Sequence, residues 1–104
     1  MSNQNYRLCA SLLKSLSHPT RLEILELLKD KNELCVCEIY EKLDLEQSNV
    51  SQHLKILKDQ GILSSRKEGL MVFYRVNYLE IYEILQKVKL ILQKQLEESL
   101  SHLL

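Results

Sequence analysis

The segment from Leu34 to Val76 constrains the fold of this chain more than any other part of the sequence. Near its middle, Val50, Leu54 and Leu57 recur at positions i, i+4 and i+7, a spacing that places all three on one face of an α-helix. Gly61 follows at the distance where glycine commonly ends a helix. The pattern therefore predicts an amphipathic helix with one buried apolar stripe at the centre of the segment.

The opposite face of this helix, which we expect to span Gln47–Asp59, carries short hydrogen-bonding side chains and few charges. Its residues are Gln47, Ser48, Asn49, Ser51, Gln52, His53 and Lys55. A helix face that meets only solvent usually carries pairs of Glu and Lys instead. Amide, hydroxyl and imidazole groups are suited to hydrogen bonding with base edges in a major groove, so this face is typical of a DNA recognition helix.

A second helix and a basic β-hairpin flank the recognition helix. We expect the helix at Cys35–Leu43, followed by a tight turn. After Gly61 the sequence predicts strands at Leu63–Arg66 and Met71–Val76, joined by a turn at Lys67–Gly69. Helix, turn, helix and hairpin is the order of a winged helix-turn-helix, in which the second helix enters the groove and the wing touches the backbone.

The rest of the sequence predicts three more helices, at Tyr6–Leu16, Thr20–Lys29 and Tyr78–Leu100. The fold class is therefore mainly α, an α+β winged helix-turn-helix with five helices and a two-stranded wing, in a single domain covering residues 1–104. The last helix would reach roughly 35 Å, too long for a small core to bury. Its apolar stripe, with that of the first helix, predicts a homodimer interface. The alternative is that it folds back on its own domain.

Composition excludes several classes of protein. The 14 basic and 14 acidic residues give a net charge of zero, which argues against a non-specific nucleic-acid binder. Between Glu46 and Val76, however, five basic and three acidic residues leave a charge of +2. No apolar run could cross a membrane, and Met1–Asn5 lacks the pattern of a signal segment. We therefore expect a cytoplasmic protein with no membrane contact, whose three cysteines stay reduced.

Four motifs stand in an order and spacing that is characteristic of a known family. They are Ser17–Leu25 (SHPTRLEIL), Glu33–Glu38 (ELCVCE), Gln47–Lys55 (QSNVSQHLK) and Gly61–Arg66 (GILSSR). Together they resemble the ArsR/SmtB family of bacterial metal-sensing repressors, over about residues 6 to 90. The resemblance implies a homodimeric repressor, not an enzyme, that binds an inverted-repeat operator in double-stranded DNA and releases it when an inducer binds.

The resemblance also implies which residues contact DNA. Matched onto this sequence, the recognition-helix residues are Gln47, Ser48, Ser51, Gln52 and His53, and the wing residues are Arg66, Lys67 and Arg75. Each has a simpler interpretation. Ser48 could only cap the first turn of its helix, His53 could be an ordinary surface histidine, and Arg75 could be a strand charge that faces solvent.

Cys35 and Cys37 are the candidate sensing residues. The string Glu-Leu-Cys-Val-Cys resembles the signature of arsenic-responsive members and of cadmium- and lead-responsive relatives, and soft thiolates select thiophilic ions. A helix N-terminus would also lower the pKa of these thiols. On a regular helix, residues i and i+2 lie about 200° apart. We therefore expect the first helical turn to open before both sulfurs bind one ion, which would strain the neighbouring recognition helix.

A third ligand is needed for a three-thiolate site. Arsenic-responsive members often carry a third cysteine where this chain has Tyr40. In some relatives an N-terminal cysteine completes the site, so Cys9 is the candidate, from the same subunit or from its partner. Such a site suits trivalent arsenic or antimony as the inducer, with cadmium or lead also possible and no organic cofactor. Alternatively, Cys9 is a small core residue.

Other functions are compatible with parts of the pattern. Cys9, Cys35 and Cys37 could sense oxidants or persulfides on the same DNA-binding fold, with Cys9 as the disulfide partner because cysteines two positions apart form a strained disulfide. A small thiol enzyme is disfavoured because no general base stands beside a nucleophile. A dimerisation module without DNA binding is disfavoured by the basic wing. The family's second metal site, on the last helix, is expected to be absent because no histidine stands at the corresponding positions.

Overall fold

Five helices and a three-stranded antiparallel sheet make up residues 2–103, the part of the chain described by a computed structural model. The helices are α1 (Asn3–Leu16), α2 (Pro19–Leu28), α3 (Val36–Leu43), α4 (Gln47–Asp59) and α5 (Glu80–Leu103). The strands are β1 (Leu34–Cys35), β2 (Leu63–Glu68) and β3 (Met71–Val76), in the spatial order β1-β3-β2. The mainly helical winged helix-turn-helix predicted from the sequence is confirmed.

The apolar stripe of α4 is fully buried, as its spacing predicted. Val50, Leu54 and Leu57 each have 0% of their surface exposed. The helix ends at Asp59, and Gly61 follows with a φ of +78°, a left-handed conformation that glycine adopts at little cost. This stripe packs into a core that includes Ile24 of α2. The recognition helix is therefore held along its whole length by the hydrophobic core.

Only the first turns of α5 join that core. Ile81 is buried, and the Tyr82 hydroxyl donates a 2.6 Å hydrogen bond to the carbonyl of Leu25 in α2. Beyond these turns α5 carries an exposed apolar stripe, and α1 carries another. The exposed residues are Tyr6, Leu8 and Leu13 on α1 and Val88, Leu90, Ile91, Leu92, Leu96, Leu100 and Leu103 on α5. The single chain therefore leaves uncovered the two faces that the sequence suggested as a dimer interface.

The wing is the β2–β3 hairpin. Strand β2 runs to Glu68, two residues further than predicted, and Glu68 pairs with Met71 across a tight turn. Gly69 in that turn has a φ of +62°. Because side chains alternate along a strand, Arg66 and Lys67 point to opposite faces of the hairpin.

The third strand, β1, was not predicted. Its two residues pair with β3, Leu34 opposite Tyr74 and Cys35 opposite Phe73. The backbone of Cys35 is extended, with φ −69° and ψ 147°, so α3 begins at Val36 and not at Cys35 as expected. A strand of two residues is too short to show the alternation that identifies strands in a sequence.

None of the helices between residues 2 and 103 combines the length and the apolar composition that a membrane span requires.

Truncating the buried stripe of α4 should destabilise the fold. We expect Leu54→Ala to lower the free energy of unfolding by about 2–5 kcal/mol, because it leaves a cavity in a core without solvent access. Lys58→Ala, on an exposed part of the same helix, should change it by no more than about 0.5 kcal/mol. Urea denaturation at one fixed protein concentration measures both. Equal effects of the two substitutions would contradict this packing.

Candidate functional site

The N-terminal half of α4 presents a continuous polar surface. Gln47, Ser48, Ser51 and Gln52 are all exposed. At 100° per residue, these four side chains fall within an arc of about 140°, which begins at Gln47 beside the buried Leu54 and ends at Gln52 on the solvent side. We call them the α4 polar face. This surface can hydrogen-bond to DNA bases and phosphates through its side-chain amides, its hydroxyls and the exposed backbone of the first turn.

His53 lies apart from the α4 polar face. Its ring stacks on His18, with centroids 4.3 Å apart, and Arg21 Nη1 lies 3.1 Å from its Nδ1. The guanidinium can only donate, so Nδ1 accepts and the imidazole is neutral. Burial, with the neighbouring His18 and Arg21, lowers the pKa of His53. The sequence pattern placed His53 among the DNA-contacting residues, but the structure turns it towards α2.

Two of the three basic wing residues are exposed without a carboxylate bound to them in residues 2–103. They are Lys67, near the tip of β2, and Arg75, in the middle of β3. Lys67 pairs across the hairpin with Val72, and Arg75 pairs with Ser64, so the two cations point to opposite faces of the wing. Both stay predicted contacts to DNA.

Arg66, the third basic wing residue, is engaged by two carboxylates. Its Nε donates to both oxygens of Glu33 at 3.1 and 2.9 Å, its Nη2 donates to Glu33 Oε1, and its Nη1 donates to Glu68 at 2.6 Å. The guanidinium also lies over the ring of Phe73, 4.5 Å from the centroid. The sequence suggested a DNA contact for Arg66, but its charge is largely compensated within the protein.

The thiols of Cys35 and Cys37 lie together. Because Cys35 is the extended N-cap residue of α3 and not part of the helix, the two Sγ atoms approach to 2.7 Å. The Cys35 sulfur also accepts a 3.4 Å hydrogen bond from the backbone N–H of Cys37, and Glu38 accepts one from the backbone N–H of Cys35. The expectation that the helix must open before both sulfurs face one ion is therefore wrong, because it assumed that Cys35 was helical.

The acidity of Cys37 also differs from the expectation. The pKa of Cys37 is raised, first because its S–H donates to the Cys35 sulfur and then because of burial. The helix N-terminus was expected to lower it. The hydrogen bond between the two thiols outweighs the helix end, since it stabilises the protonated form of Cys37. Cys37 is therefore a thiol in the ligand-free protein.

The two thiols open into a groove between α3, α4 and the wing. The groove has a volume of about 340 Å³. It is lined by Cys35, Val36, Cys37, Tyr40, Gln47, Ser51, Leu70, Met71, Val72 and Tyr74. Gln47 and Ser51 belong to the α4 polar face, so the thiol pair and part of the surface proposed to contact DNA share one groove.

Cys9 does not join this thiol pair within one chain. It is exposed on α1, and no three side chains of His, Cys, Asp or Glu come together as a metal site in residues 2–103. The sequence left open whether a third thiolate comes from the same subunit. In the described chain only two sulfurs converge.

Sequence reasoning missed two acidic residues at the site. Glu38 binds the backbone of Cys35, and Glu33 binds Arg66. A signal for Glu38 was present, because Cys35 and Glu38 stand three residues apart, the spacing of a capping box in which cysteine replaces serine. No local signal pairs Glu33 with a residue 33 positions later in the chain.

Comparison with known proteins identifies the family. Residues 18–65 match the model of the bacterial regulatory protein, arsR family. The chain is 36% identical over 87 residues to an arsenical resistance operon repressor of Staphylococcus aureus, covering 84% of this chain and 83% of the relative. The chain belongs to the ArsR family. It is therefore a winged helix-turn-helix transcriptional regulator, and proteins of this kind bind DNA.

Two further relatives of this ArsR-family chain carry different names. A cadmium resistance transcriptional regulatory protein CadC homolog of Staphylococcus aureus is 33% identical over 87 residues, covering 84% of this chain and 72% of the relative. The transcriptional activator HlyU of Vibrio cholerae is 41% identical over 75 residues, covering 72% of this chain and 68% of HlyU. The family likeness therefore does not by itself select one inducer.

Solved structures share the whole fold. The crystal structure of Mycobacterium tuberculosis Rv0081 superposes with a TM-score of 0.81 at 33% identity, covering 95% of this chain and 99% of that one. A second match is the solution structure of the homodimeric winged helix-turn-helix DNA-binding domain of Mycobacterium bovis Mb0332. It superposes with a TM-score of 0.76 at 26% identity, covering 94% of this chain and 93% of that one. Homodimeric proteins are thus among the structures that share this architecture.

Acidification should destabilise the protein through His53. Its pKa is lower in the folded chain than the ordinary value of 6.5, so the unfolded chain takes up this proton first as the pH falls. Stability should therefore be lost as the pH falls below about 6.5, until the folded form is protonated as well. Urea midpoints measured between pH 8 and 5 should show this loss, and His53→Gln should reduce it. His102→Gln, an exposed histidine near the end of α5, is the control and should leave the wild-type slope unchanged.

Proposed function

We propose that this protein is a repressor of transcription that leaves its operator when a trivalent arsenic or antimony compound, or another thiophilic ion, binds Cys35 and Cys37. One observation supports this most directly. The two sulfurs lie 2.7 Å apart, in the groove that also contains Gln47 and Ser51 of α4. A ligand on the thiols would therefore lie against residues proposed to contact DNA.

On this proposal, the α4 polar face reads bases and the wing contacts phosphates. Gln52 and its neighbours on α4 would enter the major groove, while Lys67 and Arg75 would bind backbone on either side of the wing. A homodimer formed through α1 and α5 would present two recognition helices to one inverted-repeat operator. The exposed apolar stripes on both helices support such a dimer.

The chemistry of the thiol pair suits a trivalent metalloid. Arsenite in its neutral form, As(OH)₃, would exchange two hydroxides for the sulfurs of Cys35 and Cys37. Each thiol proton would leave with one hydroxide as water, so two As–O and two S–H bonds break while two As–S bonds form. Arsenic keeps its oxidation state. Cadmium or lead would instead displace the two protons into solvent.

The third position on arsenic has two candidate occupants. One is the hydroxide that arsenite retains. The other is Cys9 of a second copy in the dimer, because Cys9 is exposed on α1 while the Cys35–Cys37 pair has no third ligand within residues 2–103. A three-thiolate site would bind trivalent arsenic more tightly than a two-thiolate site, so the two arrangements differ in affinity.

Release from DNA requires the inducer to prefer the DNA-free conformation. The Cys35 sulfur caps α3 by accepting the N–H of Cys37. A ligand that takes this sulfur would weaken the cap, at a cost below the roughly 1 kcal/mol of losing an oxygen-based cap, since sulfur is the weaker acceptor. It also fills the groove against Gln47 and Ser51. Both effects disfavour the arrangement of α3 and α4 that binds DNA.

A redox-responsive regulator is the second candidate, and the same sulfur–sulfur distance favours it. A disulfide has an S–S bond of about 2.05 Å, so Cys35 and Cys37 need only a small approach to be oxidised together. With hydrogen peroxide as the oxidant, two thiols would lose two protons and two electrons, forming one S–S bond and two waters. A solved structure titled reduced HlyU from Vibrio cholerae covers 85% of this chain, with a TM-score of 0.72 and 36% identity. A disulfide between cysteines two positions apart would be strained, so Cys9 of a second copy is the alternative partner.

Substitutions on α4 and on the wing should weaken DNA binding in different ways. Gln52→Ala should cost about 1–3 kcal/mol of affinity and relax sequence preference at one base pair, because it removes a base contact. Lys67→Ala should weaken all sequences alike and lower the slope of log affinity against log salt by about 1. Fluorescence anisotropy with a labelled duplex, selected by the protein from random DNA, measures both.

Gln60→Ala is the control for this experiment, since Gln60 carries the same side chain as Gln52 but lies exposed at the C-terminal end of α4, outside the α4 polar face. It should bind DNA like the wild type. Unchanged affinity in both Gln52→Ala and Lys67→Ala would contradict the proposed interface.

Titration with arsenite tests the sensing site. Arsenite should weaken operator binding of the reduced wild type by about tenfold or more. Cys35→Ser should keep operator binding and lose this response, because serine still caps α3 but supplies no sulfur. Anisotropy and the ultraviolet absorption of arsenic–thiolate bonds are read in the same samples. Cys9→Ser should lower arsenite affinity only if the second copy supplies the third thiolate.

Several results would overturn the proposal. Arsenite that binds the thiols without weakening operator affinity would separate binding from release. Release that persists in Cys35→Ser would place the sensor elsewhere. If arsenite has no effect while hydrogen peroxide releases the operator and dithiothreitol restores it, the redox-responsive candidate replaces the metalloid sensor.

A further inference from the structure

Glu33 joins the segment before the thiol pair to the wing. Its carboxylate receives two Nε contacts from Arg66, at 3.1 and 2.9 Å, and a third contact from Nη2. The Glu33 side chain is only 24% exposed, so water screens this ion pair less than a fully exposed pair. The contact is therefore a fixed, bidentate ion pair between two separate parts of the chain.

A second connection runs in parallel through the sheet. Phe73 stands opposite Cys35 on one side of β3 and opposite Arg66 on the other. The guanidinium of Arg66 lies over the Phe73 ring, 4.5 Å from its centroid. Cys35 is therefore linked to Arg66 twice, through its backbone pairing with Phe73 and through Glu33, which lies two residues before it in the chain.

The strand that carries Cys35 is short, and it is held by the burial of Leu34 in the core, by the α3 capping box and by pairing with β3. β1 contains two residues, and its sheet partner is β3. A shift of Cys35, when its sulfur exchanges the α3 cap for a ligand, would reach Glu33 through the two residues of chain that separate them. Because Glu33 holds Arg66 by both carboxylate oxygens, the shift is passed on to β2 of the wing.

We propose that Glu33 is a positioning residue that couples ligand binding at Cys35 and Cys37 to the wing, by fixing the position of Arg66. The inference rests on the proposed function, since it requires a ligand on the thiol pair. Arg66 then serves to orient the wing, and Lys67 and Arg75 remain to meet phosphates. Glu68 also binds Arg66, but from within the hairpin, and in residues 2–103 its side chain makes no hydrogen bond to the segment from Glu33 to Cys37.

The two carboxylates that bind Arg66 allow a matched pair of substitutions. Glu33→Gln and Glu68→Gln each remove one carboxylate from the same guanidinium, without changing the size of the side chain. Only the first cuts the connection to β1. A coupling between two sites is measured as a ratio of affinities, so operator dissociation constants are compared with and without saturating arsenite for each variant.

We expect arsenite to weaken operator binding of the wild type and of Glu68→Gln by the same factor. In Glu33→Gln this factor should fall at least about fivefold, while arsenite still binds the thiols. Circular dichroism and thermal unfolding verify that each variant is folded. Arg66→Gln removes the same ion pair from the wing side and should reproduce the loss, and combining it with Glu33→Gln should cause no further loss.

Other outcomes decide against the inference. A Glu33→Gln variant that binds DNA more weakly by the same factor with and without arsenite would show a merely structural role. The factor by which arsenite weakens operator binding could also fall equally in Glu33→Gln and Glu68→Gln. That result would assign the effect to the charge of Arg66 and not to the link with β1. If arsenite fails to release the wild type, the proposed function itself has failed, and this is seen before any variant is compared.

Discussion

The structure depends on the extended backbone of Cys35. This one residue pairs with β3 through its main chain, caps α3 through its sulfur, and brings that sulfur to within 2.7 Å of the sulfur of Cys37. Sulfur is a weaker hydrogen-bond acceptor than the hydroxyl or carboxylate groups that usually cap helices. A cysteine at this position therefore costs helix stability that a serine would have provided. The thiol pair, the wing and the helix-turn-helix consequently meet at a single residue, so that a change at its sulfur acts on all three.

Long periodic patterns made much of the fold predictable. The spacing of Val50, Leu54 and Leu57 specified the buried side of α4, and the hairpin after Gly61 specified the wing. The predicted start of α3 was one residue too early, and this small error changed the expected geometry of the two thiols. Two cysteines within a helix would have faced apart, whereas an extended Cys35 places both sulfurs together. Strand β1 was not predicted because pairing with β3, and not a local preference, sets the extended conformation of its two residues.

The partners of polar side chains were predicted less well than the burial of apolar ones, for a physical reason. Burial can be read from the period of a helix, but the partner of a charged group is set by residues far away in the sequence. Arg66 was predicted as a DNA contact, which stays a prediction, and its pairing with Glu33 had no signal in the sequence. His53 was likewise predicted as a DNA contact, which stays a prediction, and its packing on His18 and Arg21 could not be read from the sequence. Among the basic residues of the wing, Lys67 and Arg75 are the two without a bound carboxylate in residues 2–103.

The number of ligands that the thiol pair supplies favours trivalent arsenic over zinc in the proposed sensor. Zinc in structural sites takes four ligands in tetrahedral geometry, and two thiols supply only half of that set. Trivalent arsenic needs only one bond beyond Cys35 and Cys37. Cys9 lies on α1 beside Leu8, an exposed apolar residue that a dimer through α1 would cover. In the proposed dimer the packing of α1 would therefore decide whether Cys9 reaches the pair, which would make oligomeric state and metalloid affinity interdependent properties of this regulator.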